Sequence, residues 1–206
     1  MNLLKVFKFL LKINNAVLYR LSVLKTFITL KSYKSEELIL GDEIIFKGTP
    51  IFKIFPNSKI QFGGNCLINS SYSSNPAGVM MPSTFATIKE GAEIVIGNNV
   101  GISGTSIVAA SKIIIEDEVQ IGAGVCIWDN DFHPIDPNLR LVNKTDHYQT
   151  KEVHIGRNVF IGARSIILKG VKIGDNSVIG AGSVVVTNIP PNSIYAGNPA
   201  RFIKNI

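Results

Sequence analysis

Cysteine, histidine and charged residues are all scarce in this chain of 206 residues. Its two cysteines, Cys66 and Cys126, are too few for a disulfide framework, so a reducing, cytoplasmic compartment is expected. Charged residues make up 17% of the chain and hydrophobic residues 46%, which excludes global disorder and allows a sizeable core. This length predicts one domain with at most a small appendage.

Acidic residues are absent from the first 35 positions, and this absence explains the formal net charge of +6. Residues 1–35 contain seven Lys or Arg residues, so residues 36–206 carry a net charge of about −1. A body that is nearly neutral excludes a nucleic-acid groove along it, and the basicity belongs to the N-terminal segment alone.

The N-terminal segment also lacks an apolar run long enough to span a bilayer. After Lys12 its longest uncharged stretch is Ile13–Tyr19, and no small-residue cleavage site for a signal peptide follows. Apolar residues interspersed with Lys and Arg predict a basic amphipathic helical segment over residues 1–35. This segment could pack against the rest of the chain or a neighbouring subunit, or it could lie on the inner face of an anionic membrane. Both interpretations stay open.

What the chain does contain is a repeat of six residues. From Ile155 to Val185 every sixth position is a branched aliphatic residue, and four of the six are followed by glycine: Ile155, Ile161, Ile167, Ile173, Ile179 and Val185. A period of six fits neither an α-helix nor a single β-strand, and fixed hexapeptide repeats are typical of a parallel β-helix. Each hexad supplies one short strand and one turn, and three hexads close a triangular coil that stacks on the next at about 4.8 Å.

The repeat weakens toward the N-terminus. Regular hexads begin only at Ile96, whereas Ile60 and Ile68 indicate degenerate earlier coils. Residues 69–83 are rich in Ser, Asn, Gly and Pro, and they predict a loop that leaves the prism.

An insertion interrupts the regular hexads. The interval from Ile127 to Ile155 is 28 residues, which six does not divide, so an extruded loop is predicted over residues 128–154. Insertions in a solenoid are where binding and catalysis usually reside. Pro190 and Pro191 end the repeat, which predicts a β-helix domain over residues 36–190 and a C-terminal cap over residues 191–206.

One of the few histidines opens this insertion, in the segment from Asp129 to Pro134. Imidazole is the side chain best suited to accept a proton near pH 7. A nearby carboxylate, from Asp131 or Asp129, could fix its tautomer and stabilise the imidazolium. A lone histidine in a loop is usually only a surface residue, but the position of His133 favours a catalytic base.

The hexapeptide repeat, the Asp-x-Asp-x-His-Pro segment and the terminal segment from Gly197 to Arg201 together resemble the hexapeptide-repeat acyltransferases, in particular their sugar O-acetyltransferase branch. The resemblance covers about residues 88–206. It implies an all-β fold, a left-handed parallel β-helix, assembled as a homotrimer. It also implies that His133 is the general base of acetyl transfer, with Asp131 or Asp129 as its partner.

The same resemblance implies acetyl-CoA as the co-substrate, and no metal ion. Candidate residues for the coenzyme are the small residues Ala163 and Ala181 and the cations Lys169, Arg201 and Lys204. Small residues let the pantetheine arm approach the backbone, and cations can meet the phosphates. The candidates for holding the acceptor are Ser103 and Thr105, about one coil before His133, together with Asn130 and Arg140.

The implied reaction is transfer of an acetyl group to a hydroxyl of a small-molecule or lipid-linked sugar, in the assembly of a bacterial surface polysaccharide such as capsule, O-antigen or exopolysaccharide. An amine acceptor, on an amino sugar or another small molecule, would use the same base, and only the acceptor pocket distinguishes the two. A non-catalytic scaffold would need neither the Asp-x-Asp-x-His segment nor Arg201. Because the chain contains both, a scaffold is the remote alternative. A metal lyase on this fold would need three neighbouring histidines, and His133, His147 and His154 lack the paired spacing.

Overall fold

Three parallel sheets form the sides of a triangular prism. The computed structural model describes residue 17, residues 20–142 and residues 147–206. Sheet A contains β1 (Leu38–Leu40), β4 (Lys59–Phe62), β7 (Glu93–Ile96), β10 (Lys112–Ile115), β13 (Val153–Ile155) and β16 (Lys172–Ile173). Sheet B contains β2 (Ile45–Lys47), β5 (Leu67–Asn69), β8 (Gly101–Ser103), β11 (Gln120–Ile121), β14 (Phe160–Ile161), β17 (Val178–Ile179), β19 (Ser193–Ala196) and β20 (Arg201–Asn205). Sheet C contains β3 (Ile51–Lys53), β6 (Thr84–Thr87), β9 (Ser106–Ala109), β12 (Cys126–Trp128), β15 (Ile166–Ile167) and β18 (Val184–Val185).

Consecutive strands fall in sheets A, B and C in turn, so each set of three makes one coil. The hexad positions point into the prism: the six aliphatic residues from Ile155 to Val185 are each at most 2% exposed. They also stack in register, with Ile155 beside Ile173 in sheet A and Ile161 beside Ile179 in sheet B. The fold is a left-handed parallel β-helix, which confirms the predicted fold class.

The turns between the sheets stack into three columns, which we name the A/B, B/C and C/A corners after the sheets they join. At the A/B corner Asn158 and Asn176 have φ of 53° and 58°, a left-handed conformation that asparagine tolerates better than most residues. Their side chains form a ladder, in which Asn158 Nδ2 donates to Asn176 Oδ1 at 3.0 Å. At the B/C corner a Cβ on Gly162 would lie 2.4 Å from the backbone nitrogen of Ala181, so only glycine permits this stacking.

Aromatic residues fill the early coils, which explains why the aliphatic repeat is weak there. Phe52, Phe62 and Phe85 are each at most 5% exposed and point into the prism. The ring centroids of Phe62 and Phe85 are 5.0 Å apart, and those of Phe52 and Phe85 are 5.4 Å apart. These larger side chains complete the core of coils that the hexapeptide pattern only suggests.

Two loops leave the prism between strands. Residues 70–83 connect β5 to β6 at the B/C corner, and residues 129–152 connect β12 to β13 at the C/A corner. The sequence predicts loops over residues 69–83 and 128–154. The second contains the short helix α2 (Pro137–Leu141), which Asp136 caps by accepting a hydrogen bond from Asn138 N at 2.8 Å. Residues 143–146 lie outside the described residues.

The prism is covered at both ends. The N-terminal helix α1 is described at residue 17 and residues 20–31, and the rest of the predicted helical segment, residues 1–16, 18 and 19, lies outside the described residues. At the other end β19 pairs with β17 and turns back into β20, and Ala200, 2% exposed, donates its N–H to Val184 O at 2.8 Å. In the described part of the chain, no helix is both long and apolar enough to cross a membrane.

Candidate active site

Asp129 anchors the start of the second loop to the coil below it. Its side chain is 0% exposed, and its two oxygens accept hydrogen bonds from the backbone N–H groups of Ala110 and Ser111, each at 2.7 Å. Asn130 Nδ2 donates to the same carboxylate at 3.1 Å. This carboxylate therefore accepts the backbone N–H groups of the turn between β9 and β10. It makes no hydrogen bond to His133 in the described structure, where the prediction had it orienting that residue.

A tight turn places His133 at the surface. Asn130 Oδ1 accepts a hydrogen bond from Phe132 N at 2.9 Å, and Phe132 adopts a left-handed φ of 59°. The Phe132 ring packs edge-on against Trp128, with centroids 5.4 Å apart, which fixes the turn to sheet C. Among the residues that the structure describes, no side chain forms a hydrogen bond or ion pair with the exposed imidazole of His133. The ring is therefore available to a bound substrate.

Asp131 and Lys169 form an ion pair with each other, with Asp131 Oδ1 and Lys169 Nζ 2.5 Å apart. Both side chains are only about a quarter exposed, at 22% and 25%. The prediction had Asp131 orienting His133 and Lys169 binding the coenzyme, and in this structure each is instead the partner of the other. The second carboxylate oxygen, Oδ2, is buried and has no hydrogen-bond partner within the described residues.

Asn130 and Arg140 also serve the loop itself. Asn130 is 3% exposed, and both ends of its amide are engaged inside the turn. The guanidinium of Arg140 donates to the backbone oxygens of Pro134 and Ile135, at 2.8 Å and 2.5 Å. Both residues thus support the geometry of the loop, and their predicted contacts with an acceptor stay a prediction.

Ser103 and Thr105 lie at the B/C corner, not beside His133. They are 4% and 0% exposed, and Ser103 Oγ accepts hydrogen bonds from the amides of Asn69 and Asn75, at 3.0 Å and 2.9 Å. Asn69 stands next to Ser103 in the ladder between β5 and β8, and its Oδ1 is buried without a partner in the described part of the chain. The sequence reasoning missed both asparagines. Their position at the start of the Ser- and Asn-rich loop was the available signal.

The two small residues predicted for the coenzyme stack at the same B/C corner. Ala163 lies directly against Gly122, and Ala181 directly against Gly162, so small residues line this corner, beside the exposed side chain of Arg164. Arg201 and Lys204 lie on β20 at the end of sheet B, and both are exposed. Such a surface can accommodate a narrow chain with phosphates at one end.

The predicted site residues therefore divide between two corners that flank sheet C. His133, with the ion pair, lies at the C/A corner, whereas Ser103, Ala163 and Ala181 lie at the B/C corner. The two corners lie at opposite ends of the sheet C strands, so in each coil one strand of that sheet separates them. Between them, the outer face of sheet C is mainly apolar. It includes the half-buried residues Cys126, Trp128, Ile166, Leu168 and Val184 and the exposed Val186.

Neither cysteine is suited to covalent catalysis. Burial raises the pKa of the Cys66 and Cys126 thiols, which keeps both protonated and weakly nucleophilic at neutral pH. His154 lies on the outer face of sheet A, where its Nε2 is 2.7 Å from Glu116 Oε1.

Known proteins share this repeat. A family model described as the hexapeptide repeat of succinyl-transferase matches residues 152–187. The chain is 37% identical over 161 residues to a galactoside O-acetyltransferase of Escherichia coli (strain K12), which covers 69% of this chain and 77% of that protein. It is 34% identical over 146 residues to a galactoside O-acetyltransferase of Lactococcus lactis, which covers 71% of this chain and 63% of that protein. A solved structure of a galactoside acetyltransferase in complex with coenzyme A matches with a TM-score of 0.52 and 28% identity, over 81% of this chain and 64% of that chain.

The fold and repeat define a left-handed β-helix protein of hexapeptide type. The similarity to the Escherichia coli protein goes further, and the chain belongs to the hexapeptide-repeat acetyltransferase family, as the sequence predicts. The chain spans 63% of the length of the Lactococcus lactis relative.

Proposed function

We propose that the protein transfers an acetyl group from acetyl-CoA directly to a hydroxyl of a sugar. The observation that carries the proposal is the exposed imidazole of His133, held by a tight turn on a fold whose relatives include a galactoside O-acetyltransferase and a galactoside acetyltransferase bound to coenzyme A. A surface histidine with no partner in the described chain is the arrangement expected of a base that must meet its substrate.

In the proposed reaction, the imidazole of His133 accepts the proton of the sugar hydroxyl as its oxygen attacks the thioester carbonyl. The C–O bond forms, the C–S bond breaks, and the departing coenzyme A thiolate takes the proton back from the imidazolium. No metal ion is needed in this scheme. Backbone at the B/C corner near Ala163 and Ala181 would receive the pantetheine arm, and Arg201 and Lys204 would meet the phosphates.

The proposal includes a homotrimer in the cytoplasm. If His133 and Ser103 serve one site, that site needs the C/A corner of one copy and the B/C corner of its neighbour, because one chain holds them on different corners. A repeating contact between unlike surfaces closes into a ring, and three copies suit a triangular prism. A sedimentation mass equal to one chain in dilute solution would contradict the trimer.

The predicted boundaries of the β-helix domain, after residue 35 and after residue 190, stay a prediction.

The test of the proposed function compares His133→Ala with a matched histidine control. His133→Ala should lower kcat for acetyl transfer by about 10²–10⁴-fold, the usual contribution of a positioned general base, and leave acetyl-CoA binding unchanged by calorimetry. His154→Ala removes an imidazole that pairs with Glu116 on sheet A, and should keep wild-type kcat.

The acceptor class is tested in the same assay with matched pairs of sugars that carry either a hydroxyl or an amine at one position. Preference for the hydroxyl supports the proposal. Full kcat in His133→Ala, or transfer to the amine alone, would overturn it.

A further inference from the structure

Helix α1 is attached to the prism through its polar side. Thr26 is 6% exposed, and its hydroxyl bonds to Ser22 O at 2.8 Å and to Thr49 Oγ1 at 3.2 Å. Just beyond the helix, the Tyr33 hydroxyl donates to Phe52 O at 2.8 Å. Together these contacts fix the helix to the turn and strand of the first coil.

These contacts lie on the unpaired edge of that coil. In β3, Ile51 N donates to Ser83 O of the next coil at 2.9 Å, so the carbonyl of the neighbouring residue, Phe52, faces the other way. Tyr33 occupies this outward carbonyl, and Leu30 and Tyr33 pack against the core. The helix therefore closes the end of the prism that is opposite to β20.

The side of α1 that faces away from the prism is apolar. Val17, Leu21, Leu24 and Ile28 recur at helical spacing and form one stripe, and each is between 49% and 59% exposed. At about 100° per residue, Thr26 lies on the opposite side of the helix from this stripe. An ordinary surface helix buries its apolar face and exposes its polar one, and α1 does the reverse.

Basic residues flank the apolar stripe on both sides. Lys25 lies on one side, Arg20 and Lys31 lie on the other, and all three are exposed. No acidic residue occurs in residues 1–35. If two copies paired through this stripe, their basic flanks would repel each other, whereas an anionic surface would attract them.

We propose that α1 docks the prism, end on, to an anionic lipid surface, with the stripe Val17–Leu21–Leu24–Ile28 inserted among the lipids and the flanking cations at the headgroups. Exposed apolar side chains supply the insertion, and the basic flanks supply the preference for anionic lipid.

This orientation has a consequence for the acceptor, which rests on the proposed function. His133 follows the fourth coil, three coil spacings of about 4.8 Å above the first, and α1 adds a helix diameter of about 10 Å. The imidazole of His133 would stand roughly 25 Å above the inserted stripe. The acceptor that fits is a lipid-linked saccharide whose modified sugar is separated from the lipid by further sugars.

Vesicle sedimentation of the full chain tests the docking. The wild type should bind vesicles of phosphatidylglycerol and phosphatidylcholine, and bind pure phosphatidylcholine about tenfold or more weakly. Leu24→Glu with Ile28→Glu should lose about tenfold or more of the binding to anionic vesicles, because both positions are exposed and the change removes the stripe. Ile206→Glu, a change of an exposed residue at the far end of the prism, is the control and should bind as the wild type.

Wild-type vesicle binding by the stripe variant would overturn the proposal, as would a stripe variant that changes only the oligomer mass.

Measurements of activity separate the docking from the proposed function. The stripe variant should keep wild-type kcat on a soluble sugar and lose rate only on a saccharide held in vesicles, whereas His133→Ala loses both. Loss of the soluble reaction in the stripe variant would show that the stripe is packing structure. Stripe-dependent vesicle binding with no transfer to any sugar would leave the docking standing and refute the proposed function.

Discussion

The C/A and B/C corners of the prism carry the two halves of the candidate site, and they are built in opposite ways. At the C/A corner the side chains of Asp129, Asn130 and Arg140 form hydrogen bonds within the loop or to the turn before it, whereas the imidazole of His133 is exposed and has no partner among the described residues. At the B/C corner alanine and glycine stack beside the exposed side chain of Arg164, and Ser103 accepts hydrogen bonds from Asn69 and Asn75. Under the proposed function, the C/A corner would supply the base and the B/C corner would bind the coenzyme.

The largest effect is expected from the anchor of the C/A corner. Asp129→Ala removes the charged acceptor of two backbone N–H groups, that of the buried Ala110 and that of Ser111. This should destabilise the protein by roughly 2–5 kcal/mol and lower kcat by about 10²-fold or more as the turn shifts. Urea unfolding and steady-state kinetics measure both. Asp136→Ala, which removes only an exposed helix cap, should cost about 1 kcal/mol or less and serves as the control. Equal losses of stability and kcat in Asp129→Ala and Asp136→Ala would contradict the special role of Asp129 at this corner.

The assignment of the corners to neighbouring copies can be tested by mixing two damaged chains. In an equal mixture of His133→Ala and Ser103→Ala chains, about a quarter of the interfaces would join an intact C/A corner to an intact B/C corner. Co-expressed variants should therefore regain about a quarter of wild-type activity, above the average of the two separate homotrimers. No recovery, in mixtures shown by mass to be mixed trimers, would mean that both corners act within one chain.

A smaller effect is expected at the coenzyme end of sheet B. Arg201→Ala should raise KM for acetyl-CoA by about tenfold and change kcat little, because a phosphate contact holds the ground and transition states alike. With a donor truncated to the acetylated pantetheine arm, the variant and the wild type should give the same KM. An effect of the same size with the truncated donor would show that Arg201 supports the hairpin and not a phosphate.

The smallest effect is expected from the ion pair between Asp131 and Lys169. Because both side chains are partly exposed, Lys169→Met should cost about 1 kcal/mol or less of stability. It should leave KM for acetyl-CoA unchanged, since the ammonium is already paired, and lower kcat modestly through the turn that carries His133. A rise in KM for acetyl-CoA as large as that of Arg201→Ala would restore Lys169 to the coenzyme site.

Most of the fold could be predicted because every sixth residue points into the prism, and this spacing is visible in the sequence. In the early coils Phe62 and Phe85 replace the aliphatic residues, because any apolar side chain that fills the prism is tolerated there. The aliphatic repeat is therefore weak in that part of the sequence. The candidate residues were harder to interpret. Asp131 and Lys169 are 38 residues apart in sequence and meet only because one complete coil stacks on another.

The sequence by itself determined the β-helix, its two loops and the candidate base, because each leaves a local signal: a period, a break in the period, or a rare residue at that break. Only the tertiary structure decided which polar groups meet. It bound Asp129 to the preceding turn, paired Asp131 with Lys169, separated Ser103 from His133 by one side of the prism, and turned the apolar stripe of α1 outward. Contacts between stacked coils and the direction of a docked helix depend on how distant segments pack, and no local pattern in the chain records them.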